Sequence, residues 1–599
     1  MFNQLPAQME RKPAWVIVLN ITLAGLIAGT VALWCGFYLL PPVGWYADHP
    51  FTTSASWLFD LVANASTQAG QSQPLYQHFL EPMAGVRVFL ANFERFDLIA
   101  PLSWRIFAAI FIATVTALGV GLYTYRGLER VDRLKHIRGR RLRKGRKAIR
   151  HAARAQRKSM RKSGCGIKIA PGLPISLETE TRHFLLVGAS GGGKTQTLLY
   201  WIDQLLAGRD KLLIHDTKGD MTASLPQDDY ILLAPHDKRS WAWDIARDCK
   251  GLAAARELAS RLIDLGSDPI WGNGAREILT GIIRSLQVDF GDQWDWKNLS
   301  ERAFSSPADI LSVLNSSHPE GARYIEIDEE TGTPNKTTFS FLVTLWASIG
   351  SIVNPLAAAW GDVVDARKVS LTAWLANDDV EHRTIILQRS SEFSDLSEAW
   401  IGAAVQLMAN FAASASFGDS TERRIWLFLD EFAQLGKVKG FQQFLEVGRS
   451  RGIRCAIGLQ DLEQLSDLYG EEVLKTWLNT IETKIICRMN AGPSAKFIAD
   501  ELIGQREVSW KERSITDTTS HPFENQPGTR SVNDQIKTAT VPIILPDYLE
   551  REIGPKFSCG NTQIRALLLV GGELYQLDWP ITHWPNRREA SEPAAWIQE

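Results

Sequence analysis

A chain of 599 residues, 45% of them hydrophobic, has room for about three or four domains with ample core. Its formal charge of −2 hides an asymmetry: seventeen Lys or Arg between Arg126 and Lys162 face only Glu129 and Asp132, a net +15 that leaves −17 to the rest. Six cysteines (35, 165, 249, 455, 487 and 559) lie scattered, without C-x-x-C or metal-ligand spacing. That excludes a disulfide framework and a structural zinc and points to a reducing compartment.

In chain order, a short N-terminal segment (1–13) leads into residues 14–40, twenty-seven positions without a charge ended by Pro41-Pro42. Residues 106–125 are another twenty. Each is long enough to cross a hydrocarbon core of roughly 30 Å. Arg11 and Lys12 precede the first span and the basic run follows the second, whereas 41–105 holds only Arg87, Arg95 and Arg105. The Lys/Arg bias predicts an inner-membrane hairpin, multi-pass, with both termini cytoplasmic and 41–105 as a periplasmic loop.

The stretch 126–164 reads as a basic juxtamembrane linker, densest at Arg138, Arg140, Arg141, Arg143, Lys144, Arg146 and Lys147. Topological retention with attraction to anionic lipid is the plainest role, at about 1 kcal/mol per base. Nucleic-acid contact and a solvated helix are the others.

Residues 188–195 then read Gly188-Ala189-Ser190-Gly191-Gly192-Gly193-Lys194-Thr195, which fits G-x-x-x-x-G-K-[ST]. The apolar Phe184-Leu-Leu-Val187 leads in, and a helical pattern runs from Thr195 through Leu206. Such a loop turns backbone N–H groups onto phosphate oxygens at a helix N-terminus. Lys194 would reach the β- and γ-phosphates of a nucleoside triphosphate, and the Thr195 hydroxyl would sit on Mg²⁺.

Short apolar strands recur beyond it, at 211–215, 230–234, 384–388, 425–429, 454–458 and 484–488, alternating with helical patterns. This predicts a mostly parallel α/β sheet. Residues 251–380 break the rhythm with helices expected at 253–263, 275–286 and 338–360, an all-α domain between nucleotide-binding parts at 165–250 and 381–580. Trp271, Trp294 and Trp296 in and beside these helices read as core aromatics rather than base-stacking ones. A tail, 581–599, follows.

Ile425-Trp-Leu-Phe-Leu-Asp430-Glu431 puts two acids at the carboxyl end of a buried strand, where open α/β sheets bind ligands. Asp430 would hold Mg²⁺, and Glu431 would orient and deprotonate the attacking water.

At this point the chain resembles the TraD/TrwB family of type IV secretion coupling proteins. The resemblance rests on Asp430-Glu-Phe-Ala-Gln-Leu-Gly-Lys437, Gly448-Arg449-Ser450-Arg451-Gly452, Gly458-Leu459-Gln460 and Tyr469-Gly470. Earlier blocks are Asp216-Thr-Lys-Gly-Asp220, Trp241-Ala-Trp-Asp244 and Asp268-Pro-Ile-Trp271. It implies an α/β fold, a RecA-like P-loop ATPase core with an inserted all-α domain preceded by a two-helix transmembrane hairpin. It also implies a DNA-stimulated motor using ATP and Mg²⁺, assembled as a homohexamer. Arg449 falls where the family has an arginine that contacts a neighbour's γ-phosphate, with Arg451 and Arg454 as competitors, and Gln460 where it has a sensor glutamine.

The implied partners are single-stranded DNA of any sequence, the relaxase of a relaxosome, inner-membrane components of the secretion system, and the inner membrane. With about twenty residues after Trp579, docking through a long acidic tail is not expected. The alternatives are an FtsK-like DNA translocase, a nucleotide-gated docking platform, and a coupling protein for protein effectors.

Overall fold

The computed structural model describes residues 14–38, 99–126, 134–266, 268–328, 330–517, 530–558 and 561–598. The chain divides into a unit of Met1–His136 with Val508–Thr538 and a larger unit of Ile137–Glu507 with Ala539–Glu599. Strands Gln505–Asp517 and Arg530–Pro542 belong in part to each.

In the first unit, helices α1 (Ala14–Tyr38) and α2 (Ile99–Arg126) pack along small residues. A Cβ on Gly25 would lie 3.4 Å from the Ala117 Cβ, and one on Gly29 3.3 Å from that of Ala113. Close backbone approach of this kind is how helices associate where lipid removes the hydrophobic drive. Outward positions are apolar, with Leu26, Trp104, Phe107 and Phe111 all exposed. The threonines do not spoil the surface, because Thr22, Thr114 and Thr116 return their hydroxyls to carbonyls four residues back. The second helix starts at Ile99, seven residues before the expected 106, because Pro101 falls in its first turn where no N–H is needed. Of the expected loop at 41–105, residues 41–98 lie outside the described residues, as do 1–13.

The larger unit is built on an eleven-stranded sheet. In chain order its strands are β1 (Leu142–Lys144), β2 (Phe184–Val187), β3 (Lys211–Asp216), β4 (Ile231–Leu233), β5 (Thr384–Gln388), β6 (Ile425–Leu429), β7 (Ile453–Leu459), β8 (Thr483–Ile486), β9 (Gly554–Ser558), β10 (Asn561–Val570) and β11 (Glu573–Pro580). The spatial order is β1-β11-β10-β8-β2-β7-β6-β3-β5-β4, with β9 beside β10. From β8 to β4 all neighbours are parallel; β10 adds an antiparallel edge.

The central strands are buried on both faces, which their unbroken apolar runs require. Alternation then divides each between two cores: Phe184 and Leu186 face one cluster, Leu185 and Val187 the other. The first core is closed by α3 (Gly145–Ser163) and α4 (Lys194–Leu206).

The second core continues into helices α5 (Gly251–Leu262), α6 (Pro269–Phe290), α7 (Trp296–Ala303), α8 (Pro307–Ser317) and α9 (Lys336–Trp360). Their starts are written locally: Asp268 caps α6 with Pro269 at its first position, and Asp295 makes a capping box with Asn298. Trp294 and Trp296 are fully buried, Trp296 against Trp243 and Trp360, and the Trp271 ring lies on Phe341. Helix α9 is also long and apolar enough to cross a membrane, yet it packs into this core through Phe341, Leu345, Ile349, Val353 and Leu356.

Two expectations change. From residue 134 on, the basic stretch 126–164 is folded structure rather than a linker. Strand β1 pairs with β11, and α3 buries Ala148 and Ala152 while its bases point outward. Two alanines four apart are a stripe too narrow to read beneath seventeen bases. The tail 581–599 is not detached either. Trp596 donates to the Pro235 carbonyl at 2.7 Å, and Gln388 to that of Ala590 at 2.7 Å, so it lies across the carboxyl ends of β5 and β4.

Candidate functional site

Strand register decides what meets. Val187 is level with Leu459 on one side and Ile486 on the other, and Leu429 is level with Ile457 and His215. Residues that follow β2, β7, β8 and β6, and the one that ends β3, therefore emerge side by side at one edge of the sheet. They are the phosphate loop, Gln460, Cys487-Arg488, Asp430-Glu431 and Asp216.

The loop's glycines are required by space as well as conformation. Gly191 and Gly193 have φ of +68° and +106°. A Cβ on Gly188 would lie 2.6 Å from the Cys487 Cβ, and one on Gly193 2.3 Å from Ile564. Ala189 N–H donates to the Arg488 carbonyl at 2.8 Å. Ser190 and Gly192 complete the turn, and α4 begins at Lys194. The Lys194 ammonium is buried and donates to the carbonyls of Gly188 at 2.5 Å and Ala189 at 3.5 Å. A lysine held by its own loop in this way has donors to hand over to a phosphate.

Thr195 Oγ1 donates to Asp430 Oδ2 at 3.1 Å. Burial pushes the Asp430 carboxyl above its usual range, against the opposing pull of Lys194 and Thr195. Its other oxygen, Oδ1, is buried without a hydrogen-bond partner among the described residues. The space beside it exists because residue 458 is glycine, whose Cβ would stand 2.9 Å away. A buried carboxylate oxygen next to a threonine hydroxyl and a phosphate loop fits a divalent cation of the Mg²⁺ type, which takes oxygen ligands and shares them with phosphate. Thr195 and Asp430 are the residues that would hold it.

Glu431 is one of two non-glycine residues with positive φ among those described (φ 58°, ψ 58°). A left-handed conformation costs such a residue about 1–3 kcal/mol and clusters at functional sites. Here it turns the side chain away from the strand direction. Gln460 Nε2 donates to Oε1, and Gln434 Nε2 donates to Oε2 at 2.6 Å. Gln434 was not anticipated, although its place three residues after Glu431, one turn of 3₁₀ helix, was visible in the sequence. Behind them the buried His215 donates Nδ1–H to the Asp430 carbonyl at 3.0 Å, and burial lowers its imidazole to about 4, so the ring is neutral. Asp216 accepts from Gly219 N–H at 2.9 Å and from both the N–H and hydroxyl of Thr222, which fixes the loop after β3.

Arg449 is elsewhere. It follows the helix Phe441–Gly448 and precedes β7, and it pairs with Glu178 at 3.3 Å. That is the amino end of the sheet, whereas the phosphate loop leaves the carboxyl end, about 13 Å away along the four residues of β2. Its side chain is 53% exposed. The two competitors are committed: Arg451 donates to the Ser414 carbonyl, and Arg454 is buried between Glu180 and the carbonyls of Arg423 and Gly452.

Comparison with known proteins follows the same lines. A family model described as the type IV secretion-system coupling protein DNA-binding domain matches residues 167–551. The coupling protein TraD of Escherichia coli (strain K12) is 22% identical over 426 residues, covering 64% of this chain and 56% of TraD. This chain thus spans little more than half of that relative. Among solved structures, the conjugative coupling protein TrwBdeltaN70 in its unbound form is 19% identical with a TM-score of 0.59, covering 76% of this chain and 96% of that one. TrwB in complex with the non-hydrolysable ATP analogue ADPNP gives 0.58, at 19% identity and 77% and 98% coverage. TrwB with ADP and Mg²⁺ gives 0.57, at the same identity and coverage. At these identities the likeness is one of fold, an α/β P-loop core of the RecA-like kind with an inserted all-α domain.

Proposed function

The chain belongs to the type IV secretion-system coupling proteins, and from that premise we propose an inner-membrane ATPase that couples DNA to a secretion channel. It brings a relaxase-bound single strand to the channel during conjugation and helps drive the strand through. One observation carries the reading: Lys194, Thr195, Asp430 and a Glu431 clamped by two amides converge on one glycine cradle, while Arg449 stands exposed at the opposite end of the sheet. A lone subunit has the binding half of a catalytic centre at one end and the missing cation at the other. Head-to-tail assembly joins them.

The roles follow from that arrangement. Lys194 binds phosphate oxygens, Thr195 and Asp430 hold Mg²⁺, and Glu431 takes a proton from water that its two glutamine partners help to orient. Bound ATP supplies the phosphoanhydride whose cleavage does the work. Arg449 of one subunit neutralises charge on the phosphates held by the next. The TrwB complexes with ADPNP and with ADP and Mg²⁺ support ATP and Mg²⁺, and the family model's DNA-binding description supports DNA as cargo. The homohexamer rests on the family resemblance.

Outside the basic stretch the chain carries −17, so DNA cannot be drawn by net charge. The grip is then local, through phosphates, and blind to sequence. Single-stranded DNA is expected to stimulate the ATPase of the assembled protein several-fold, equally for unrelated sequences, with stimulation falling steeply as salt rises. Strong preference for one sequence, or no stimulation of hexameric protein, would favour the docking-platform alternative.

The membrane topology is tested separately. A reporter active only outside the cytoplasm should work when fused near Gln71 and be silent near Gly164. The reverse pattern would overturn the hairpin.

A further inference from the structure

Arg488 is unaccounted for by any role above. It follows β8, whose Ile486 is level with Val187 at the mouth of the phosphate loop. Its carbonyl receives the Ala189 N–H at 2.8 Å and would be 2.7 Å from a Cβ on Gly192. Its side chain runs back along the loop, where Nη2 would be 3.9 Å from a Cβ on Gly191. Room for the stem comes from Gly554, φ +106°, whose Cβ would strike the Arg488 Cβ at 2.9 Å and Cδ at 3.1 Å.

No hydrogen bond or ion pair holds this guanidinium among the described residues, and its Nε is buried without a partner. Most other partly buried arginines of this body are held by acids or carbonyls, although Arg389, after β5, shares the unpartnered Nε. Arg424 pairs with Asp210 and Glu180, Arg454 with Glu180, and Arg565 with Asp578. A half-buried cation without an acid, beside the phosphate loop at Gly191, is costly unless an anion joins it. The adjoining loop is shaped for one.

We propose that Arg488 is a second phosphate-binding cation of the nucleotide site, contributed by the same subunit as the loop. It works in cis with Lys194, and Arg449 of the neighbour completes the set. Its planar fork can take two oxygens of a nucleoside polyphosphate where lysine offers a point charge. The inference rests on reading the loop as a nucleotide site. In sequence its mark is a charged residue just past the apolar Ile485-Ile-Cys487, at the end of a strand directly beside the phosphate-loop strand.

The test uses the full-length protein in detergent, titrated with a fluorescent non-hydrolysable ATP analogue. Wild type, Lys194→Ala, Arg488→Ala and Arg488→Lys are compared. Arg488→Ala should bind about tenfold to a hundredfold more weakly, the loss expected for hydrogen bonds to a charged group. Its melting midpoint without nucleotide should be unchanged, because the guanidinium has no partner to lose among the described residues, and Arg488→Lys should fall between. If Ala lowers that midpoint, Arg488→Gln, which keeps the stem, becomes the deciding variant.

Binding by the charge-free variant within about twofold of wild type, while Lys194→Ala has lost it, overturns the assignment of Arg488 alone. Failure of wild type to bind overturns the nucleotide reading and this inference with it. A second measurement, at nucleotide concentrations that leave Arg488→Ala largely empty, fixes the subunit: mixtures of Arg488→Ala and Glu431→Gln proteins should turn over no faster than the two proteins do apart, because each site needs both residues from one chain. Recovered turnover would show that Arg488 acts across an interface and refute the cis assignment.

Discussion

Lys194→Ala is expected to lower ATP hydrolysis by about a hundredfold to a thousandfold, the scale for removing one preorganised donor from a transition state. Nucleotide affinity should fall as well, because Lys194 is the buried cation nearest the Gly188 and Ala189 carbonyls at the heart of the loop. Glu431→Gln makes the contrast. It removes the base but keeps an amide-sized side chain, so affinity should stay within about threefold while turnover falls by about a hundredfold or more. Nucleotide titration beside a steady-state phosphate assay separates the two. Near-normal turnover by Glu431→Gln would end its assignment as base.

The same residues show what the sequence made legible and why. Fully buried strands are written as unbroken apolar runs, so 384–388 and 425–429 match Thr384–Gln388 and Ile425–Leu429. The phosphate loop is legible because its glycines answer steric demands that no other residue meets. Elements at the margins were read less well. Helix α6 begins at Pro269 rather than near 275, because Asp268-Pro269 is a capping signal that lies outside the apolar periodicity. Helix α3 was concealed because its buried face is only alanine.

Within the site, the motif residues are legible in the sequence and the contacts that support them are not. Gly458 and Arg488 act through register and space, which appear only once five strands are aligned, whereas Gln434 reaches Glu431 within one local turn. Among three candidate arginines, spacing could rank but not separate them. Burial did so, committing Arg451 and Arg454 to internal partners and leaving Arg449 exposed.

That separation gives the assembly its sharpest consequence. Arg449 sits at the amino end of the sheet and the phosphate loop at the carboxyl end, so no subunit can place this arginine on its own nucleotide without unfolding β7. Contacts of two different surfaces close into a ring when the rotation allows. Arg449→Ala alone should therefore lose about a hundredfold or more in turnover while its own loop binds nucleotide normally.

Mixed with Glu431→Gln, it should recover. An Arg449→Ala subunit supplies Glu431, and a Glu431→Gln neighbour supplies Arg449. In an equal random mixture about a quarter of the interfaces hold that pair in the productive order, so recovered activity should approach that fraction of wild type. Among the described residues Arg449 pairs with a 33% exposed Glu178, a surface contact of about 0–1 kcal/mol that gives way readily to a neighbour's phosphate. Mixtures that stay inactive at every ratio, although mixed rings are shown to form, would remove Arg449 from the neighbouring site.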